Sequence, residues 1–161
     1  MKILQTNSFA LLCAASIALA LPLVSVARQD DSKGAVPNNP QTAVASKTAA
    51  FAVVKPTDPS VKRAIAATDL DSVTKQIGKS ATIQGTVAEL FAPGSNSLVV
   101  LNFSKEYWTA ATVVVRAKNF SKIPNLQYLK GRKVLVTGRV VEYKEKAQIE
   151  VSEPGQIKII K

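Results

Sequence analysis

Histidine is absent from all 161 residues. With it go the commonest general base and the commonest metal ligand. Cysteine occurs once, as Cys13, inside an apolar N-terminal stretch. Once that stretch is removed, no disulfide can brace what remains. Acidic residues are scarce, 11 against 21 Lys and Arg, which leaves a net charge of +10. From Thr68 onward the acids are Asp69, Asp71, Glu89, Glu106, Glu142, Glu145, Glu150 and Glu153. No subset of them has the spacing of a metal-ligand cluster, and Asp69 and Asp71 sit where a helix N-terminus would use them as caps. A metal-dependent phosphodiesterase would need clustered carboxylates beside an arginine. Arg116 and Glu106 alone do not supply that. The chain therefore reads as a non-enzyme, with no catalytic residue, no metal site and no cofactor.

What is present begins with an export signal. Lys2 is the one charge before Arg28, and Phe9 to Val26 is apolar or small apart from Ser16, Pro22 and Ser25. Ser25-Val26-Ala27 places small residues at −3 and −1 of a cleavage site. A retained membrane anchor is the alternative. The run is barely long enough for the roughly 20 residues a span needs, and Pro22 favours cleavage. Leu12 before Cys13 does not fit a lipoprotein signal. Residues 1–27 are expected to be a signal peptide, leaving a periplasmic or secreted protein with no stable membrane span.

Residues 28–67 are expected to form a flexible linker. Arg28 to Ala50 is rich in Ala, Asn, Gln, Thr, Ser and Asp, contains Pro37 and Pro40, and has no aromatic residue. Such a segment buries too little apolar surface to offset its chain entropy. Phe51 to Val54 is an apolar island ahead of Pro56 and Pro59, read as a patch on the linker, with an extra strand docked on the domain as the alternative.

Residues 68–161 read as one small domain. Leu70, Val73 and Ile77 lie at helical spacing, with Gly78 as a stop. Strand patterns follow at Ala81 to Leu90, Leu98 to Phe103, Ala111 to Val115, Lys133 to Tyr143, Gln148 to Val151 and Ile157 to Ile160. A turn is expected at Pro93 to Asn96, and a short helix interrupted by Pro124 between Asn119 and Tyr128. One internal echo narrows the architecture. Gly78 to Val87 and Gly131 to Val140 both match G-[KR]-x-x-x-[IV]-x-G-x-V, offset by 53 residues. Glycine inside a strand is tolerated where the backbone bends or is closely approached. Two glycines in phase, Gly85 and Gly138, suggest two sharply coiled strands of a closed barrel. The expected fold is all-β, a five-stranded OB barrel with a short helix between strands three and four; a β-sandwich is the alternative.

The same residues also resemble a known group. Leu101 to Trp108, Thr112 to Val115, Gly131 to Gly138 and Tyr143 to Val151 are similar to exported bacterial OB-fold domains of the nucleic-acid-binding, tRNA-anticodon-like type. Those domains carry an Asn-Phe pair on the second strand, here Asn102-Phe103, and a Tyr…Gln-Ile run into the fifth, here Tyr143 to Ile149. The resemblance covers Asp69 to Lys161. Many such sequences have Gly and Pro where this one has Glu145 and Ala147. The resemblance implies binding of single-stranded or general nucleic acid, on fold analogy.

Charge and aromatic placement point the same way. No acid occurs between Glu106 and Glu142, whereas Arg116, Lys118, Lys122, Lys130, Arg132, Lys133 and Arg139 do. Such a surface would track a phosphate backbone. OB barrels bind across strands two and three and the loops after strands one and four. Phe91, Phe103, Tyr107, Trp108 and Tyr143 fall on or beside those elements, with Phe103 the better fit to the core. The residues expected to bind nucleic acid are Lys105, Tyr107, Trp108, Arg116, Lys118, Arg132, Lys133, Arg139 and Tyr143, forming one basic, aromatic-flanked groove. The expected partner is single-stranded DNA or RNA. The alternative is an OB module that takes a protein, a small ligand or an anionic envelope polymer.

Overall fold

The structure is a computed structural model that describes residues 39–161. The expected signal peptide, its cleavage site and residues 28–38 of the expected linker lie outside the described residues.

Capping starts the helix that leads into the barrel strands. The Asp69 carboxylate accepts from the Ser72 N–H at 3.1 Å, opening α3 (Leu70–Thr74). Gly78, at φ +84°, ends that region in a left-handed conformation that other residues adopt at a cost. Alternating apolar residues then form β3 (Ser80–Thr86), β4 (Glu89–Phe91), β5 (Leu98–Asn102), β6 (Thr112–Arg116), β7 (Lys133–Tyr143), β8 (Lys146–Val151) and β9 (Ile157–Ile160). Two 3-10 helices, Ala117–Lys122 and Leu126–Leu129, fill the interval between β6 and β7, with Pro124 between them. Ile83, Leu90, Val99, Leu101, Val113, Val115, Val134, Val136, Val140 and Ile149 point inward into one core.

The pairing makes an OB-like curled sheet. β4 runs antiparallel to β5, β5 to β6, and β6 runs parallel to β8. β8 is antiparallel to β7, which is antiparallel to β3. At Val87-Ala88 the chain changes neighbours: the Val87 N–H donates to Arg132 O and the Ala88 N–H to Asn102 O. The first long strand is thereby split into β3 and β4, which carries the chain from β7 across to β5. The described residues hold nine strands rather than five. The additional ones arise from this split, from β9, and from two strands ahead of residue 68.

The echo pairs with itself. Ile83 lies opposite its own counterpart, Val136, and Ala81 opposite Gly138 as Gly85 is opposite Val134. The flanking bonds repeat the relation: the Gly78 N–H donates to Val140 O at 2.9 Å and the Gly131 N–H to Val87 O at 2.8 Å. Both strand glycines sit at close approaches. A Cβ on Gly138 would lie 2.7 Å from the Glu150 carbonyl oxygen, and one on Gly85 would lie 2.7 Å from Phe103 Cδ1.

From residue 39 onward the structure departs from the expected linker. In α1 (Pro40–Val44), Asn39 caps the Gln41 N–H and Gln41 is fully buried. Its amide group donates to Ile123 O and Pro124 O and accepts from the Leu126 N–H, each at 3.0 Å. β1 (Ala52–Val54) adds to β9 in parallel, so the Phe51–Val54 island is a strand of the sheet. α2 (Pro59–Arg63) is capped by Asp58, and β2 (Ile65–Ala66) pairs with β3. Val54 and Val61 cover Leu135 on the outer face of β7. Composition misleads here because this strap needs no core of its own. It completes hydrogen bonds and covers apolar surface that the barrel already presents.

Candidate nucleic-acid interface

The β5–β6 loop is anchored at both ends, by Phe103 and by Ala110-Ala111, all buried. Within it the Ser104 hydroxyl accepts from the Glu106 N–H at 3.2 Å, and Thr109 Oγ1 lies 2.8 Å from both Ser104 Oγ and Glu106 O. These bonds close a tight loop whose apex displays Tyr107 and Trp108, 57% and 53% exposed. Their rings meet edge to face, centroids 5.1 Å apart.

The β7–β8 hairpin comes up beside that apex. Lys144 and Glu145 form its two-residue turn with φ of 49° and 62°, the positive values that match the twist of the flanking strands. Neither residue is the glycine such a turn favours, so the departure at Glu145 does not prevent a tight hairpin. Ala147 packs in the core. Tyr143 and Lys146 are cross-strand partners just below the turn. Lys146 Nζ sits 4.7 Å from the Tyr107 centroid and Lys144 Nζ 5.5 Å from that of Tyr143, both in cation–π range. Tyr143 is 58% exposed. Three exposed rings and their lysines thus share one end of the barrel. Glu106 and Glu145 lie on the same loops and Glu142 on the adjoining end of β7, so this end offers stacking surface with little excess charge.

The excess charge lies further down the strands. Arg116, Lys118, Arg139, Glu150, Ser152 and Gln156 line a cleft of about 240 Å³. Arg116 grips one oxygen of Glu150 through Nε at 3.0 Å and Nη2 at 2.6 Å, and Arg139 stands opposite Glu150 across the ladder. Gln156 is fixed as well: its oxygen accepts from the Ser152 and Glu153 N–H groups, and its nitrogen donates to Thr137 O. The guanidinium of Arg116 keeps three of its five N–H donors for a ligand. The cleft's three cations face a single carboxylate, so it is net positive.

β7 joins the two regions. Arg139, Val141 and Tyr143 alternate on its outward face, which spans roughly 13 Å at the usual strand rise. Gln148 on β8 lies beside Val141. A short track therefore leads from the rings of Tyr107, Trp108 and Tyr143 to the cleft of Arg116, Lys118 and Arg139. Lys105 belongs to the aromatic loop.

Arg132 and Lys133 do not join this track. They stand at the opposite end of β7, up to about 33 Å from Tyr143 along the strand, and Arg132 lines a different cleft. The nine expected residues fall in separate places rather than in one groove. The outward side of β5 and β6 is also different from expectation. By register it carries Leu98, Val100, Asn102, Thr112, Val114 and Arg116, with exposed Phe91 beside Val100. It is aliphatic with one charge, already paired. Lys144, Lys146, Gln148 and Gln156 complete the track and are not among the expected residues. The hairpin spacing Tyr143-x-x-Lys146 is the sequence signal that points to Lys146.

Three further acids have structural partners. Asp58 and Asp69 are held below the usual carboxylate range, chiefly by hydrogen bonds from Ser60 and Ser72, and Glu153 pairs with Lys122 at 2.9 Å. Among the described residues no three Cys, Asp or Glu side chains gather as a metal site.

No protein-family model matches the chain, and no curated protein does. Among solved structures, an aspartyl tRNA synthetase from Entamoeba histolytica is similar, at 17% identity and a TM-score of 0.45, over 71% of this chain and 26% of that one. The chain spans about a quarter of that protein's length, and a likeness this slight carries no argument.

Proposed function

We propose that the protein is an OB-like binding module that engages single-stranded nucleic acid along the track over β7 and β8. Bases would stack on Trp108, Tyr107 and Tyr143 while phosphates reach Arg139, Lys118 and Arg116. The observation that carries this reading is the grouping of three half-exposed rings at one end of a strand whose outward face leads to a net-positive cleft. Base–aromatic stacking supplies roughly 1–3 kcal/mol per base and does not depend on sequence, whereas phosphate pairing supplies the salt-dependent part. The reading is of binding and not catalysis: of the acids nearest the track, Glu150 is paired with Arg116, and Glu106, Glu142 and Glu145 are spread over two loops and the end of β7. Export follows from the N-terminal apolar segment: an intact mass beginning at Arg28 is expected, and recovery of the chain with Met1 retained would contradict it.

Salt dependence separates the track from the rest of the basic surface. Trp108 is the sole tryptophan, so its emission during titration with a single-stranded oligonucleotide reports binding at the site itself. Lys118→Gln and Arg139→Gln should each lower the slope of log affinity against log salt by about 0.7 for every phosphate that is no longer neutralised. Arg132→Gln and Lys133→Gln should leave it nearly unchanged. An equal effect from all four would show a diffuse basic surface and remove the track.

A further inference from the structure

We propose that a second, separate site binds a nucleoside monophosphate or a closely similar flat-ringed anion in the cleft that the strap forms with the 3-10 helix Leu126–Leu129. The cleft encloses about 560 Å³, within the roughly 300–1,000 Å³ typical of small-molecule sites. One wall is the strap from Thr42 to Phe51, and the other runs from Pro124 to Arg132. Its charged lining residues are Lys47 and Arg132, with no carboxylate among the lining. Tyr128 opens onto the same space and is 66% exposed, the highest value of any aromatic ring described. Asn125 and Thr42 face each other at 3.3 Å across the walls and offer polar groups. A ring to stack on, two cations from opposite walls and a polar rim match a ligand with a planar ring and a phosphate. Neither a bare anion nor a neutral ring would use both halves.

The cleft exists because the strap is docked. Gln41 fastens one end of the wall through its three hydrogen bonds, the Ser46 N–H donates to Ile123 O at 3.0 Å, and β1 fastens the other end. A ligand that bridges Lys47 and Arg132 binds only the docked state and must oppose strap opening. The opening equilibrium then falls by the factor one plus ligand concentration over Kd, about 100-fold at 100 times Kd. The Ser46 and Leu126 amides report this directly, since each is bonded only when the strap is in place.

Calorimetric titration of the full chain with adenosine monophosphate, adenosine and inorganic phosphate tests the proposal. Saturable binding of the monophosphate is expected, at least tenfold tighter than of adenosine or phosphate. Tyr128→Ala and Arg132→Gln alter exposed side chains and leave the fold intact; each should weaken it tenfold or more. Trp108→Ala should leave it unchanged, so that failure of the proposed track and failure of this site are told apart. Hydrogen exchange at Ser46 and Leu126 should slow as the ligand saturates. No binding, equal affinity for phosphate alone, indifference to Tyr128→Ala, or unchanged exchange at both amides would each overturn it.

Discussion

Replacing Gln41 with alanine tests whether the strap belongs to the folded domain. The side chain is fully buried and serves three backbone groups, Ile123 O, Pro124 O and Leu126 N–H. Each hydrogen bond contributes about 0.5–1.5 kcal/mol net, and more when its loss strands a buried partner. The three together give roughly 2–4 kcal/mol. The upper limit is set by the strap itself, because undocking would let water reach the orphaned groups. A domain of this size loses about 3–5 °C in Tm per kcal/mol, interpolating the usual size dependence, so Gln41→Ala should melt roughly 6–20 °C lower. Gln41→Glu should be at least as damaging, since a carboxylate can accept from Leu126 but only repels the two carbonyls. Urea melts followed by circular dichroism supply the comparison. A change below about 0.5 kcal/mol, the range of ordinary surface substitutions, would refute the docked strap.

Two further outcomes follow from local geometry. Gly138→Ala should cost about 1–3 kcal/mol, because its Cβ meets the Glu150 carbonyl and Ile149 at 2.7 Å and the backbone cannot yield; Gly85→Ala should cost less, since the Phe103 ring edge can shift. The caps Asp58 and Asp69 have lowered carboxyl pKa values. Their contribution is present above the unfolded pKa near 3.9 and is lost as pH falls through the lower folded value. Asp69→Asn should keep the cap but flatten the acid limb of a stability–pH curve below about pH 4, and an unchanged limb would contradict this.

The strands are legible because period-two alternation survives in this chain: the runs Lys133–Tyr143 and Ile157–Ile160 have the same bounds in sequence and structure. The strap is not, although its helices carry start signals. Asn39-Pro40 and Asp58-Pro59 each place a cap residue before a proline at the first helical position. Their short length and polar surroundings hide them, and nothing in sequence shows that Gln41 finds its partners more than 80 residues away. Charge followed along the chain places Arg132, Lys133 and Arg139 together. An extended strand separates them, and it brings Glu150 from β8 against Arg116 and Arg139. Aromatic roles are decided by loop geometry: Phe103 turns inward at the loop base while Tyr107 and Trp108, four and five residues on, stand out.

The central claim is that bases, and not only phosphates, are recognised at the ring-bearing end. Anisotropy of a labelled single-stranded oligonucleotide, competed with base-free polyphosphate, measures it for the full chain and for Trp108→Ala. The account predicts that the oligonucleotide binds more tightly than polyphosphate, and that Trp108→Ala weakens the oligonucleotide by about 1–3 kcal/mol, or roughly 5- to 150-fold, without altering the salt slope. Polyphosphate should bind the variant as it binds the parent. Equal affinity for the two ligands, untouched by Trp108→Ala, would contradict nucleic-acid recognition and leave a module that binds polyanions of any kind.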